Sequence, residues 1–297
     1  MHKIDYEDQG LFHSGHAACP GCQESLALRT ILNALGDNAV AVFPPSCGAV
    51  ICGPHPYSSL TIPVFQTTLE SAAASASGLK RALNQRGKSD ATVVCFAGDG
   101  GTYDIGFQAL SSAVERNEDI LYVCFDNEGY MNTGAQKSSS TPLHASTAST
   151  PAGKQSKKKN MVEILAAHGI PYVATAATGY LHDLIAKVHK AKTIQGTRFL
   201  VVLVPCLDGW GLPDDAGVAV SRLAVESGVW PLYEVEDGTR YTLNKASRER
   251  PVNDYLEAQK RYRHLDEVRA DEVQASVDQQ WAQLLARVAG SGAQSAA

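Results

Sequence analysis

The chain has 297 residues, of which 44% are apolar and 19% charged. This is the composition of a globular protein able to bury a substantial core as one large or two smaller domains. A formal net charge of −5 argues against a nucleic-acid surface, and no apolar run approaches the ~18 residues of a membrane-spanning helix.

Taken in chain order, residues 1–8 are polar and acidic, unlike a secretory leader. Seven cysteines without such a leader favour reduced thiols, metal ligation or core packing over a disulfide framework, and imply a cytoplasmic location. A helix is expected from Glu24. Residues 39–43 read as a strand and 69–84 as an Ala-rich helix whose small side chains permit close packing. Strands at 91–96 and 120–125 flank a helix at 105–116. A helix at 161–168, a strand at 172–175, a helix at 181–192 and a strand at 199–204 follow. Continuous Val/Ile/Leu strands separated by helices predict an α/β fold: a parallel sheet with helices on both faces. After Pro205 the pattern changes, and 256–288 is charged with helical period. This divides the chain into an α/β domain at 1–235 and a C-terminal helical extension at 236–297. Residues 133–160, rich in Ser, Thr, Gly, Ala and Lys, form a long segment of either functional or disordered type.

Two strand ends carry the strongest chemical signal. Gly98-Asp99-Gly100-Gly101 closes one apolar run, and Asp126-Asn127-Glu128-Gly129 closes the next. Ligands gather at the carboxyl ends of strands in open α/β sheets. Glycines permit sharp turns and close approach of a phosphate, and the following helix aims free N–H groups at the anion. Asp99 and Asn127 offer two side-chain oxygens and Gly129 a carbonyl, a donor set suited to Mg²⁺ shared with a diphosphate. That combination points to thiamine diphosphate. An ordinary glycine turn with an Asx cap is the alternative for Gly-Asp-Gly alone; the paired Asn127 weakens it.

Four cysteines lie on predicted turns: Cys19 and Cys22 as a C-x-x-C, Cys47 and Cys206. Such thiolates bind zinc or an iron–sulfur cluster. The isolation of the third and fourth favours a cluster, since zinc sites commonly use two close pairs. A thioredoxin-like redox pair is a further alternative, but the strand that precedes it in that fold is missing. Cys95 and Cys124 sit within strand patterns and read as core; Cys52 is open.

His16-Ala17-Ala18-Cys19-Pro20-Gly21-Cys22, the run from Gly98 to Gly106, the run from Asp126 to Gly134, the stretch from Lys158 to Ile164 and Trp230-Pro231-Leu232-Tyr233-Glu234 together resemble the β subunits of 2-oxoacid:ferredoxin oxidoreductases, best known from pyruvate:ferredoxin oxidoreductase. The resemblance spans nearly the whole chain. It implies a thiamine diphosphate-binding fold, with Gly98, Asp99, Gly100, Gly101, Asn127, Gly129 and Tyr130 at the cofactor. It implies Mg²⁺ on Asp99, Asn127 and the Gly129 carbonyl, and a [4Fe–4S] cluster on Cys19, Cys22, Cys47 and Cys206. Asn132 would face the reacting end of the cofactor, with Glu24 nearby. The reaction implied is oxidative decarboxylation of a 2-oxo acid, pyruvate by default, to an acyl-coenzyme A. Electrons would pass to ferredoxin or another acceptor. An α subunit would complete the active site, with γ and δ (ferredoxin-like) subunits as further partners. The segment 133–160 becomes an ordered loop over the site. The family usually has Gly after the second cysteine; here it is Gln23. Glu70 is expected to open the Ala-rich helix, and His144 to be solvated or substrate-adjacent. A non-oxidative thiamine decarboxylase with structural zinc, and a non-catalytic metal-stapled module, are the other classes.

Overall fold

The computed structural model describes residues 8–246 and 248–294. Residues 1–7 of the N-terminal segment lie outside the described residues. Helix α1 (Gln23–Leu35) leads to β1 (Ala39–Phe43), α2 (Cys47–Cys52), β2 (Val64–Gln66), α3 (Ala72–Gln85), β3 (Thr92–Gly98), α4 (Phe107–Glu115) and β4 (Leu121–Asp126). Then come α5 (Met161–Ala166), β5 (Tyr172–Ala177), α6 (Leu181–Thr193), β6 (Arg198–Leu203), α7 (Leu207–Trp210) and α8 (Gly217–Glu226). The chain continues with β7 (Tyr233–Glu236), β8 (Arg240–Leu243), α9 (Val252–Glu257) and α10 (Glu267–Gln294).

The eight strands form one sheet in the order β2-β1-β3-β4-β6-β5-β7-β8. All pairings from β2 to β5 are parallel, and β7 and β8 add an antiparallel edge. The central strands are buried on both faces, which is why they read as unbroken apolar runs. Successive side chains alternate between two cores. Val94, Phe96, Val123 and Phe125 face Leu28 and Ile31 of α1 and Val188 of α6. Val93, Cys95, Tyr122 and Cys124 face α3, α4, α5 and the C-terminal helices. The α/β expectation with helices on both faces therefore holds, and Cys95 and Cys124 are core residues. Cys52 joins them, buried in the α1 core.

Several boundaries differ from the sequence expectation for identifiable reasons. The Ala-rich helix starts at Ala72, not at 69. Hydroxyls of Thr67, Thr68, Ser71 and Ser75 bond one another and hold the preceding turn. Exposed Glu70 thus lies before α3, accepting a bond from the Thr68 hydroxyl. The helix expected from 105 is helical from Asp99 and includes a π-helical turn at Gly101–Ile105. Gly106 N–H reaches the Gly101 carbonyl at 2.8 Å, where a Cβ on Gly106 would stand 2.2 Å from that oxygen. Single π turns of this kind are frequent at functional sites. Strands β2, β7 and β8 went unread because they are only three or four residues long; β2 and β8 are the sheet edges and β7 lies just inside one. The β7–β8 turn nevertheless carries Asp237-Gly238, both with positive φ, a strong hairpin signal. Position 235/236 falls inside β7. The helical stretch at 256–288 is interrupted between α9 and α10, where Arg261 turns inward to Glu128.

Candidate active site

β1, β3, β4 and β6 are consecutive neighbours and parallel, so the segments after them line one edge of the sheet in spatial order. Those segments carry Cys47, Asp99, Asn127 and Cys206. The acid and the amide stand in the middle with a cysteine on either flank. The turn before α1 contributes Cys19 and Cys22, and the first turn of α1 contributes Glu24.

Asp99 is fully buried, and the Ser138 hydroxyl donates to its Oδ2 at 2.5 Å. The side-chain oxygen of Asn127 lies 2.8 Å from the Gly129 carbonyl oxygen and 2.9 Å from Asp99 Oδ1. With the amide oxygen turned this way, Asn127 makes two close oxygen–oxygen contacts. Turning the amide over lets its NH₂ donate to both; a cation between the three relieves the same repulsion. The spacing matches adjacent ligands of an oxygen octahedron, about 3.0 Å for a metal–oxygen distance of about 2.1 Å. The donor set therefore fits Mg²⁺. Burial, reinforced by the charge of Asp126, holds the Asp99 carboxyl well above the usual range.

A buried charge web supports this set. Asp126 accepts the Ser140 hydroxyl at 2.6 Å and the Tyr103 hydroxyl at 3.1 Å. Lys158 lies 2.8 Å from both Asp126 and Glu128, and Arg261 lies 2.6 Å from Glu128. Burial acts against the charged form of Glu128, yet Lys158 and Arg261 hold it below the usual carboxylate range. These clamps, with Thr141 donating to its carbonyl at 2.8 Å, keep Glu128 in a left-handed conformation with φ of 65°. Segment 133–160 is accordingly tied to the site through Ser138, Ser140, Thr141 and Lys158.

The Tyr130 hydroxyl, with one proton to give, lies 2.9 Å from Asp104 Oδ2 and 3.1 Å from the Gly100 carbonyl oxygen. A Cβ on Gly100 would stand 2.3 Å from the Tyr130 ring. We expect Gly100→Ala to lower stability by about 1–3 kcal/mol, and Tyr130→Ala in the same chain to recover most of that loss in thermal denaturation.

Two adjoining cavities complete the picture. One, about 120 Å³, is lined by Gly98, Gly100, Gly101, Gly129 and Tyr130. The other, about 90 Å³, is lined by Cys19, Cys22, Cys47 and Cys206. Glu24, Cys47, Asn127 and Asn132 line both. Among the described residues no three His, Cys, Asp or Glu converge as a single ion requires; the four thiols instead stand around a chamber. Burial, with Glu24 adding to it, pushes the Cys22 thiol up to about 11, and burial raises Cys47 and Cys206 too. A metal group binding there must displace these protons. Glu24 is 4% exposed, its Oε1 meets no donor, and burial pushes its carboxyl up to about 8. Asn132 is exposed at the rim.

Gln23 does not line the chamber. Its amide donates to the Gly21 carbonyl at 3.0 Å and packs where a Cβ on Gly217 would stand, 2.5 Å from Gln23 Nε2. His144 is not solvated: it is 5% exposed, and its Nε2 lies 2.6 Å from Glu272 of α10. Sequence reading missed Asp126, Glu128, Ser138, Ser140, Lys158, Arg261 and Trp210. A usable signal was present: two acids flanking Asn127 at a buried strand end need counter-charges.

Residues 50–203 match the family of thiamine pyrophosphate enzymes at its C-terminal TPP-binding domain. This match holds Asp99, Asn127, Gly129, Tyr130 and Asn132; Cys19, Cys22, Cys47 and Cys206 fall outside it. The chain is 48% identical to pyruvate synthase subunit PorB of Methanothermobacter marburgensis, covering 89% of this chain and 93% of that protein. It is 40% identical to ketoisovalerate oxidoreductase subunit VorB of Pyrococcus furiosus, covering 97% of this chain and 96% of that one. Its fold is similar to 2-oxoglutarate:ferredoxin oxidoreductase from Magnetococcus marinus, with TM-score 0.59 at 22% identity, over 74% of this chain and 82% of that one.

Proposed function

The chain belongs to the β subunits of thiamine diphosphate-dependent 2-oxoacid:ferredoxin oxidoreductases, and on that premise we propose that it holds thiamine diphosphate beside a [4Fe–4S] cluster for the oxidative decarboxylation of pyruvate. The observation that carries this reading is the shared wall: Glu24, Cys47, Asn127 and Asn132 border both the glycine-lined cavity and the cysteine chamber. Thiamine diphosphate supplies an electron sink for loss of CO₂ from a 2-oxo acid, and the cluster a one-electron acceptor beside it.

The chain's own residues do the holding and orienting. Asp99, Asn127 and the Gly129 carbonyl hold Mg²⁺, and Gly98, Gly100, Gly101 and Tyr130 bound the diphosphate space. Cys19, Cys22, Cys47 and Cys206 hold the cluster. Burial pushes the Glu24 carboxyl up to about 8, and its Oε1 stands unpaired at the shared wall. Asn132 presents its amide to the incoming substrate from the rim.

The rim is open: Asn132 and Cys19 are exposed, and Val50 at the chamber is 47% exposed. An α subunit closing this rim and completing the site fits that exposure. Further γ and δ subunits, ferredoxin as acceptor and coenzyme A as acyl acceptor complete the proposed assembly. No described helix is long and apolar enough to cross a membrane, and we place the assembly in the cytoplasm.

Cys47→Ser is expected to abolish the brown colour and the broad absorbance near ~400 nm while leaving thiamine diphosphate binding in place. A colourless wild type carrying zinc would support the structural-zinc alternative instead. The substrate assignment is tested by a panel of 2-oxo acids on the native complex with a dye acceptor. Pyruvate is expected to give the highest kcat/KM. The VorB relative makes ketoisovalerate the second reading, and its dominance in the panel would replace the first. The isolated chain is expected to show no turnover; full 2-oxo acid oxidation by it alone would contradict the need for an α subunit.

A further inference from the structure

Trp210 sits in a short element that touches both halves of the site. Cys206 caps helix α7, its Sγ accepting the Gly209 N–H at 3.4 Å. At the other end of the helix the Trp210 indole N–H donates to the Asn127 carbonyl at 2.8 Å, fully buried. The ring has little freedom. The Arg261 guanidinium lies 3.7 Å above its face while holding Glu128 at 2.6 Å, and Tyr255 meets it edge-on at 6.5 Å. Met131 packs against the backbone of Gly209 in α7 and of Gly129 at the cation site. A Cβ on Gly209 would stand 2.2 Å from Met131 Sδ, and one on Gly129 would stand 2.9 Å from Met131 Cε.

We propose that Trp210 is a positioning residue that couples the cysteine chamber to the cation site, so that a change of charge at Cys206 alters the hold on thiamine diphosphate. The proposal rests on the functional reading above. A more negative sulfur strengthens the bond from Gly209 N–H and draws the start of α7 toward Cys206. With a single turn, close-packed on both sides, α7 has little room to absorb that pull. The indole N–H transmits it to the Asn127 backbone, one peptide from Glu128 and two residues from the Gly129 carbonyl. Such coupling is reciprocal: if cofactor binding changes the ease of reducing the cluster, reduction changes cofactor affinity by the same factor.

The test uses the assembled native enzyme, resolved of its cofactor. Mg²⁺ with thiamine diphosphate is titrated into dye-oxidised and dithionite-reduced samples. The two dissociation constants of the wild type are expected to differ by at least about five-fold. Trp210→Phe keeps a buried ring and loses the donor, so this ratio should fall toward the part due to charge acting through space. Colour and cofactor binding should remain. If Trp210→Phe does not fold, Arg261→Lys keeps a cation on Glu128 but removes the planar stack on the ring, and the ratio should fall there too. A wild-type ratio of one, or an unchanged ratio in the folded variant, overturns the coupling. A wild type with no colour or no thiamine binding overturns the functional reading itself, and the inference with it.

Discussion

Asp99→Ala is expected to weaken binding of thiamine diphosphate with Mg²⁺ by about 10²–10³-fold, equivalent to about 3–4 kcal/mol. The reason is the geometry of its surroundings. Of the three candidate ligands Asp99 alone can carry a charge; its Oδ1 lies 2.9 Å from the Asn127 side chain, and its other oxygen is already taken by Ser138. Without the carboxylate, the Asn127 amide and the Gly129 carbonyl remain as two neutral donors, too few for a hard cation. The same substitution removes a buried acid that burial and Asp126 hold above its usual range, so it carries little stability penalty without ligand. The combined outcome is specific: a folded chain that no longer answers to the cofactor. Thermal denaturation reads it directly. The wild type at about 100 times its dissociation constant gains about 2.7 kcal/mol; Asp99→Ala gains almost nothing. Asp99→Asn, which keeps the shape and loses the charge, is expected to fall between them.

Lys158→Met is expected to cost about 3–5 kcal/mol of stability, a loss visible as a lower denaturant midpoint with unchanged slope. The Asp126 and Glu128 side chains are 0% and 2% exposed, and Lys158 reaches both at 2.8 Å. Glu128 retains Arg261, but Asp126 is left with only neutral donors from Ser140, Tyr103 and the backbone. Methionine keeps an unbranched apolar stem but gives up the ammonium, which lies 4.6 Å from the Trp230 ring centroid as well as between the two acids, so the loss includes that cation–π contact. Lys158→Arg, which keeps a donor for each acid, should recover a substantial part. An effect under about 1 kcal/mol for Lys158→Met would mean that Asp126 is satisfied without a cation.

Much of the cofactor half of the site was legible because its signals are local. A buried parallel strand is an unbroken apolar run, and the residue that ends it is conspicuous when it is Asp99 or Asn127. The four cysteines read on turns stood out in the same way, although Cys47 proves to open α2; a cysteine outside an apolar pattern has no packing reason to be there. The charge web was not legible, because its members are neighbours only in the folded chain. Lys157-Lys158-Lys159 looks like a solvated run, yet Lys158 is inserted between two buried acids while Lys157 meets Gln279 at an exposed position. Arg261 comes 133 residues after Glu128, from a stretch whose period reads as continuous helix. The serines at 138 and 140 look like linker composition, but each hydroxyl ends on a carboxylate of the site. His144 misled in the opposite direction. A polar loop predicts solvent, whereas α10 packs back over the loop and places Glu272 against the imidazole.

The central claim is that one set of strand ends holds the cofactor and that the adjoining cysteines take its electrons. Anaerobic addition of pyruvate to the assembled enzyme, without coenzyme A or external acceptor, tests it most directly. The absorbance near ~400 nm should bleach in the wild type and stay unchanged in Asp99→Ala carrying its full complement of cluster. Bleaching that persists in Asp99→Ala, or a wild type whose colour no 2-oxo acid alters, would contradict the account.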